Sequence, residues 1–142
     1  MPLRPLALVL CLLPASVALA QDAAPAPVLS VELNTAETVD TACRLTFLVQ
    51  NDLGADLGQL ALETVILTPD GIVERLTLFD FRDLPEGRPR VRQFDLAGLT
   101  CDGIGKVLVN ATTACAGEGL DPAACASALA LTSRVAGVDL LG

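Results

Sequence analysis

The chain has 142 residues, of which 52% are hydrophobic and 3% aromatic, and its 17 acidic and 9 basic side chains give a net charge of −8. Such an acidic surface repels nucleic-acid phosphates and anionic lipids, which excludes general nucleic-acid binding. The sequence also contains no histidine, tryptophan or tyrosine. This removes the commonest general base, the commonest metal ligand and the usual stacking platforms for sugars and bases.

Residues 1–20 have the pattern of a secretory signal peptide. Arg4 supplies a positive charge near the N-terminus, residues 6–13 form an unbroken apolar run, and Ala18 and Ala20 are the small residues that signal peptidase reads. We therefore predict cleavage before Gln21 and a periplasmic or secreted protein. Because the apolar run is far shorter than the ~20 residues of a membrane span, no span is expected in the mature form.

The mature chain would contain 122 residues, enough for a single domain, and its net charge would be −9 because Arg4 is lost. Residues 21–27 contain two prolines within three positions, Pro25 and Pro27. Since proline disfavours both helix formation and strand pairing, this segment is predicted to be an extended tether. The folded domain is expected to comprise residues 28–142.

The domain carries apolar residues at period two between turn signals, which is typical of half-buried antiparallel strands. In one segment Cys43, Leu45, Phe47 and Val49 share a face that we expect to point inward, and Leu48 is the apolar exception on the other face. The predicted strands are residues 28–33, 43–50, 60–68, 72–81, 89–96, 104–112 and 129–135.

Turns and a short helix separate these strands. Residues 51–58 and 83–87 favour bends, and Pro69-Asp70-Gly71 predicts a hairpin turn in which proline fixes one dihedral angle and glycine accepts a positive one. Asp121 followed by Pro122 predicts an N-cap and one helical turn over residues 122–127. About seven strands in this arrangement indicate an all-β fold, an immunoglobulin-like antiparallel β-sandwich.

The mature chain keeps four cysteines, an even number that predicts two disulfides in an oxidising compartment. Three pairings are possible. We favour Cys115 with Cys125, which are close in sequence, so that Cys43 pairs with Cys101 and ties an early strand to a late one. A link between Cys43 and Cys115 would instead force different strand neighbours. A redox or zinc centre would need a Cys-x-x-Cys spacing or histidine, and the sequence has neither.

Four segments within residues 31–96 follow one another in a characteristic order: Val49-Gln50-Asn51, Asp70-Gly71, Leu84-Pro85-Glu86-Gly87 and Phe94. This order resembles that of bacterial FxLYD and CARDB-type immunoglobulin-like extracytoplasmic domains. The chain differs from those domains in its four cysteines and in lacking the aromatic motif that names the first family. The resemblance implies an immunoglobulin-like fold and a role in extracellular contacts, and it carries over no catalytic residues.

Three alternating arginines form the candidate partner-binding site. In an extended strand Arg88, Arg90 and Arg92 would line one face as a positive stripe on an otherwise acidic protein. Guanidinium groups bind carboxylates and phosphates bidentately, which suits such a stripe to an anionic partner. The alternative, which we favour, is that Pro89 and these charges protect an edge strand from unwanted pairing.

Two acidic clusters are interpreted as solvated turns, because their spacing matches no calcium-loop template. They consist of Asp80, Asp83 and Glu86, and of Asn51, Asp52 and Asp56. Without histidine no serine triad can form, and Lys106, the single lysine, is expected to be exposed. We therefore expect no metal site, no cofactor and no enzymatic activity.

These observations favour a non-enzymatic interaction module that binds another exported protein or an envelope component of unknown identity. A strand edge such as residues 88–96 could pair with a strand of that partner, since main-chain hydrogen bonds then give affinity and side-chain pockets give specificity. The alternative hypothesis is a small-ligand or cation-binding domain that uses the acidic turns.

Overall fold

The computed structural model describes Met1, Pro2, Ala18, Ala20 and residues 23–142. The predicted signal peptide therefore lies almost wholly outside the described residues and stays a prediction. Residues 23–27 are exposed and carry no regular secondary structure. Within the described part of the chain, no helix has the length and the apolar character that a membrane crossing requires.

The described residues form eight strands, one short helix and one 3-10 turn. The 3-10 turn spans Cys101–Gly103, and helix α1 spans Pro122–Ala128. The strands are β1 (Val28–Val39), β2 (Ala42–Asp52), β3 (Leu57–Leu67), β4 (Val73–Leu84), β5 (Arg90–Ala97), β6 (Lys106–Gly117), β7 (Leu129–Ser133) and β8 (Asp139–Leu141).

The strands build two four-stranded sheets whose inner faces share one hydrophobic core. The strand order is β5-β2-β1-β7 in the first sheet and β4-β3-β6-β8 in the second. Neighbours are antiparallel except for β1 with β7 and β6 with β8, which are parallel. The predicted all-β, immunoglobulin-like sandwich is confirmed in its two-sheet architecture, with eight strands instead of about seven and with two parallel pairs.

Strand β2 illustrates why these residues fold into a sandwich. Cys43, Leu45, Phe47 and Val49 are at most 1% exposed, whereas Leu48 on the opposite face is 38% exposed. Removing a large apolar side chain from water stabilises the folded state by about 1.5–3 kcal/mol, so the period-two pattern fixes which face meets the core. The predicted orientation of this segment is confirmed.

The hairpin predicted at Pro69-Asp70-Gly71 connects β3 to β4. Gly71 adopts φ +83°, which its lack of a Cβ permits, and its N–H donates to the carbonyl of Thr68 at 2.9 Å. The Thr68 hydroxyl accepts a hydrogen bond from the N–H of Ile72 at 3.1 Å. Local turn chemistry therefore accounts for this connection.

Helix α1 begins where the sequence predicts it. Asp121 accepts a hydrogen bond from the N–H of Ala124 at 2.8 Å, and Pro122 occupies the start of the helix. The helix ends at Ala128, one residue beyond the predicted turn.

Strands β1, β6 and β8 differ most from the prediction, and β1 continues six residues beyond its predicted end, to Val39. Strand β6 begins two residues later than predicted and continues to Gly117. Strand β8 was not predicted, because its three residues are too few to show an alternating pattern. It forms opposite β6, where Leu140 lies beside Val107 and is buried in the core.

Both predicted disulfides are present. One bond joins Cys43 of β2 to Cys101 in the 3-10 turn, and the other joins Cys115 of β6 to Cys125 of α1. Cys43 and Cys125 have no exposed surface, and Cys115 is buried as well. The first bond therefore fastens the segment after β5 to the first sheet, and the second fastens the helix to β6.

Removing the two disulfides should destabilise the protein unequally. The double variant Cys43→Ala, Cys101→Ala removes a bond between residues 58 positions apart. For a loop of this length the chain-entropy model predicts that the free energy of unfolding falls by about 4 kcal/mol. The double variant Cys115→Ala, Cys125→Ala removes a bond between residues 10 positions apart, and the free energy of unfolding should fall by about 2.7 kcal/mol. Urea unfolding of both variants beside the parent protein measures the difference, and a larger loss for the shorter loop would contradict the prediction.

Candidate interaction surface

The side of the sandwich where β4 and β5 lie is filled by all four phenylalanines of the chain. Strand β5 is an edge of the first sheet and β4 is an edge of the second. Phe79 of β4 stacks on Phe94 of β5 with ring centroids 4.4 Å apart, and Phe47 and Phe81 pack edge-on at 5.5 Å. Such aromatic pairs contribute about 0.5–1.5 kcal/mol beyond their burial, so they hold the two edges at a fixed spacing.

Arg92 links the two edge strands at one end of this aromatic cluster. Its Nε donates to the carbonyl of Phe81 at 2.7 Å and its Nη2 donates to the carbonyl of Asp83 at 2.8 Å. The Asp83 carboxylate lies 3.5 Å from the same guanidinium, and the Arg92 side chain is only 20% exposed. Strands of different sheets share no backbone ladder, so this side chain supplies a polar connection between β5 and β4 at this end.

Arg75 makes a corresponding link at the other end. It extends from β4, and its Nη1 donates to the carbonyl of Ala97, the last residue of β5, at 3.0 Å. Its guanidinium also binds the Glu74 carboxylate, and this hydrogen bond lowers the pKa of Glu74. The two edges are thus tied at both ends by arginines bound to backbone carbonyls.

The structure places the three arginines of the predicted stripe in different surroundings. Arg90 and Arg92 lie opposite Val49 and Phe47 of β2, so they share the side of β5 that faces the second sheet. Arg88 precedes the strand and is exposed. β5 is indeed an edge strand, and arginines pointing toward the space between the sheets are one way in which edge strands resist pairing. Arg92 is committed to β4, which leaves Arg90 and Arg88 for contacts with a partner.

A cleft of about 730 Å³ lies between the two edge strands. Leu78 of β4 and Val91 of β5 form its rims, and each is 57% exposed. Phe94 and Arg92 also line it, and both are held in place by the aromatic cluster and the Arg92 hydrogen bonds described above. The cleft therefore combines exposed apolar rims with a fixed lining, and the open backbone edges of two strands border it.

Arg82 enters the same cleft from β4 through an unusual backbone conformation. Its φ is +59°, in the left-handed region that a residue with a Cβ seldom adopts. The Asp80 carboxylate accepts a hydrogen bond from the Arg82 N–H at 2.8 Å and another from the Gln59 side chain at 3.1 Å. The pairing with β3 shifts register at this point, so the strand bulges here and redirects the Arg82 side chain.

Most other arginines of the domain are neutralised by neighbouring acids. Arg44 lies 2.7 Å from Asp95, and Arg134 lies 3.0 Å from Glu32. The hydrogen bond from Arg44 lowers the pKa of Asp95, and bonds from Asn34 and Arg134 lower the pKa of Glu32.

Four basic side chains of the described region have no carboxylate within 4 Å. They are Arg82, Arg88, Arg90 and Lys106. Lys106 is exposed at the start of β6, as the sequence predicted. The other three lie near the end of β4 and the start of β5: Arg82 lines the cleft, Arg90 directly precedes the cleft residue Val91, and Arg88 precedes the strand. In the described chain, positive charge without a carboxylate partner is therefore concentrated beside the cleft.

The acidic turns are occupied by internal hydrogen bonds. The Asn51 amide donates to the carbonyls of Leu84 and Ala55 at 2.8 and 2.9 Å, and its oxygen accepts from the N–H of Leu53 at 3.1 Å. The Glu86 carboxylate accepts from the N–H of Gly54 at 3.0 Å. Among the described residues, no group of three or more Cys, Asp or Glu side chains is arranged to hold a metal ion.

Sequence reasoning missed the two residues that complete the cleft, Leu78 and Arg82. A signal for Leu78 was present, because β4 carries leucines at 76 and 78 on the face opposite Phe79 and Phe81. Apolar residues on both faces of an edge strand indicate a contact beyond the core. Arg82 gave no such signal, because its position depends on the bulge.

A row of apolar side chains also crosses the outer face of the second sheet. Leu76, Val65, Leu108 and Leu141 lie opposite one another on its four strands. On the far side of the sandwich, a groove of about 420 Å³ opens beside β6 and β7, where Asn110 and Leu131 are among its lining residues. Neither feature carries the unpaired positive charge found at the cleft.

Comparison with protein-family models, with curated proteins and with solved structures found no match to this chain.

Replacing Arg92 by glutamine should destabilise the protein by about 1–3 kcal/mol, because the part-buried carbonyl of Phe81 and the more exposed carbonyl of Asp83 lose a charged donor. The matched variant Arg90→Gln removes an arginine from the same face of the same strand, but its one side-chain bond, 3.2 Å long, is to the neighbouring Pro89 carbonyl. Its unfolding free energy should change by less than about 0.5 kcal/mol. Urea denaturation compares the two variants, and equal stabilities would refute the connecting role of Arg92.

Asn51→Ala should destabilise the protein by at least ~2 kcal/mol. The substitution removes a fully buried amide, so the carbonyl of Leu84 and other turn groups lose their hydrogen-bond partner. Asp52→Ala, at the exposed neighbouring position, should change the unfolding free energy by less than about 0.5 kcal/mol. Thermal and urea unfolding test both variants. A neutral Asn51→Ala would mean that the turn does not depend on this side chain.

Proposed function

We propose that the protein is a non-enzymatic, periplasmic or secreted interaction module that binds another exported protein or an envelope component through the cleft between β4 and β5. The observation that carries this proposal is the cleft itself, with exposed Leu78 and Val91 at its rims and an open strand edge on each side. Exposed apolar side chains beside an unpaired strand edge suit recognition by strand addition.

The rigidity of the cleft supports this function. The phenylalanine cluster and the two arginine links hold β5 and β4 together before a partner binds, and the Cys43–Cys101 disulfide fastens the segment after β5 to β2. A surface organised in advance loses little conformational entropy on binding. A small domain with this surface therefore suits binding by shape and main-chain hydrogen bonds.

Export is supported by the signal-peptide pattern and by the two disulfides, since disulfides persist mainly outside the reducing cytosol. The resemblance to FxLYD and CARDB-type domains points to the same role in extracellular contacts. The alternative, a small-ligand or cation-binding domain, depends on acidic turns whose Asp56 and Glu86 carboxylates accept backbone hydrogen bonds.

Site-specific photocrosslinking in the cells that produce the protein tests the proposal. A photoreactive amino acid replaces Val91 in one variant and Leu78 in a second, so that both rims of the cleft are sampled. The matched control position is Thr132, which is exposed on the opposite edge strand of the first sheet. We expect both cleft positions to crosslink to one and the same protein or envelope component, and Thr132 to give no such product.

The proposal fails if the cleft positions give no adduct, or if Thr132 captures the same partner as efficiently as they do. Circular dichroism and the absence of free thiols in each variant confirm that the sandwich has folded. The result then reports on the surface and not on misfolded protein.

A further inference from the structure

We infer that the cleft takes an extended, acidic segment of a partner protein, which adds as a strand to the free edge of β5 and places its carboxylates on Arg90 and the neighbouring arginines. This inference rests on the proposed function and specifies its partner. Three features support it: the register of β5, the unpaired charge and the apolar rim.

The register of β5 determines which side chains an added strand would meet. Arg90, Arg92 and Phe94 alternate with Val91 and Gln93, and none of the described strands pairs with β5 on the side away from β2. Residues directly opposite in neighbouring strands share a face. Partner residues opposite Arg90 and Phe94 would therefore point toward the space between the sheets, and the residue opposite Val91 would lie on the outer face.

The unpaired arginines determine which partner side chains suit the inward face of the added strand. Within the described chain, the Arg90 side chain donates one hydrogen bond, to the Pro89 carbonyl, and Arg82 and Arg88 make no side-chain hydrogen bonds. No carboxylate of the described residues lies within 4 Å of any of the three. Two acids also line the cleft: Asp80 accepts hydrogen bonds from the Arg82 N–H and the Gln59 side chain, and Asp83 lies 3.5 Å from Arg92. Carboxylates at alternate positions of an extended segment lie on one face, so one would meet Arg90 and the next would approach Arg88, while Arg92 stays bound to the carbonyls of Phe81 and Asp83.

The outer side of the added strand should be apolar. Val91 is 57% exposed and lies opposite Leu48 of β2, which is also exposed. An apolar or β-branched residue beside Val91 would extend this cross-strand pair, and such pairs contribute about 0.2–1 kcal/mol. The recognised segment therefore alternates acidic and β-branched residues.

Binding of synthetic peptides to the purified, disulfide-bonded protein tests the inference. The first peptide has blocked ends and alternates glutamate with valine. A second peptide alternates lysine with valine, and a third has the composition of the first with its glutamates grouped together. We expect saturable binding of the first alone, with amide NMR shifts along β5 and at Leu78 to Asp83, and weaker binding as salt rises.

Charge variants locate the contact. Arg90→Gln should weaken binding of the alternating glutamate peptide about threefold, and the combined Arg88→Gln, Arg90→Gln variant about tenfold, in line with partly exposed ion pairs. The matched control Lys106→Gln removes the remaining unpaired cation, on β6, and should leave the affinity unchanged. All three positions are surface charges, so the variants should fold normally.

The inference is overturned if the lysine peptide binds as well as the glutamate peptide, if no peptide binds, or if the shifts fall at Asn110 and Leu131 in the opposite groove. The proposed function is judged separately by the crosslinks from Val91 and Leu78. Should those positions capture one partner through a segment that is basic or helical, the interaction role would stand and the acidic-strand inference would fall.

Discussion

The guanidinium of Arg92, bound to the carbonyls of Phe81 and Asp83, is the contact on which the proposed surface depends. Edge strands of opposite sheets have no ladder of backbone hydrogen bonds between them, so their separation is set by side chains alone. The stacked rings of Phe79 and Phe94 fill the space between the two strands. An arginine suits the polar part of this contact because its fork of donors can satisfy two carbonyls at once. The same bonds make Arg92 unavailable to a partner.

Arginines without a carboxylate partner distinguish the side of the domain where β4 and β5 lie from the rest of its surface. The domain is strongly acidic, and several of its arginines are matched with carboxylates, as Arg44 is with Asp95. These exposed pairs contribute little to stability, but they remove positive charge from the rest of the surface. Among the described residues, and apart from Lys106 on β6, the basic side chains without a carboxylate partner lie where β4 ends and β5 begins. An acidic protein can therefore present a local cationic site without an overall positive field.

Much of the fold could be predicted because its signals are local. The burial pattern of β2, the Pro69-Asp70-Gly71 turn and the Asp121 cap each depend on residues within a few positions of one another. The disulfide pairing followed from sequence separation and the expected sheet arrangement. Strand β8 could not be predicted, since three residues carry no period and its partner, β6, is remote in sequence. The left-handed conformation of Arg82 was equally hidden, because it arises from a register shift against β3.

The candidate site was predicted only in part. Alternation placed Arg90 and Arg92 on one face, and that much is a property of any extended strand. The sequence by itself determined the sandwich and the acidic balance of the surface, because burial of apolar side chains and local turn geometry act along the chain. Among three possible cysteine pairings it favoured the one that the structure shows. Only the tertiary structure decided that Arg92 closes the cleft while Arg82 and Arg90 remain unpaired. Which arginines are bound and which are free depends on the positions of two edge strands that belong to different sheets.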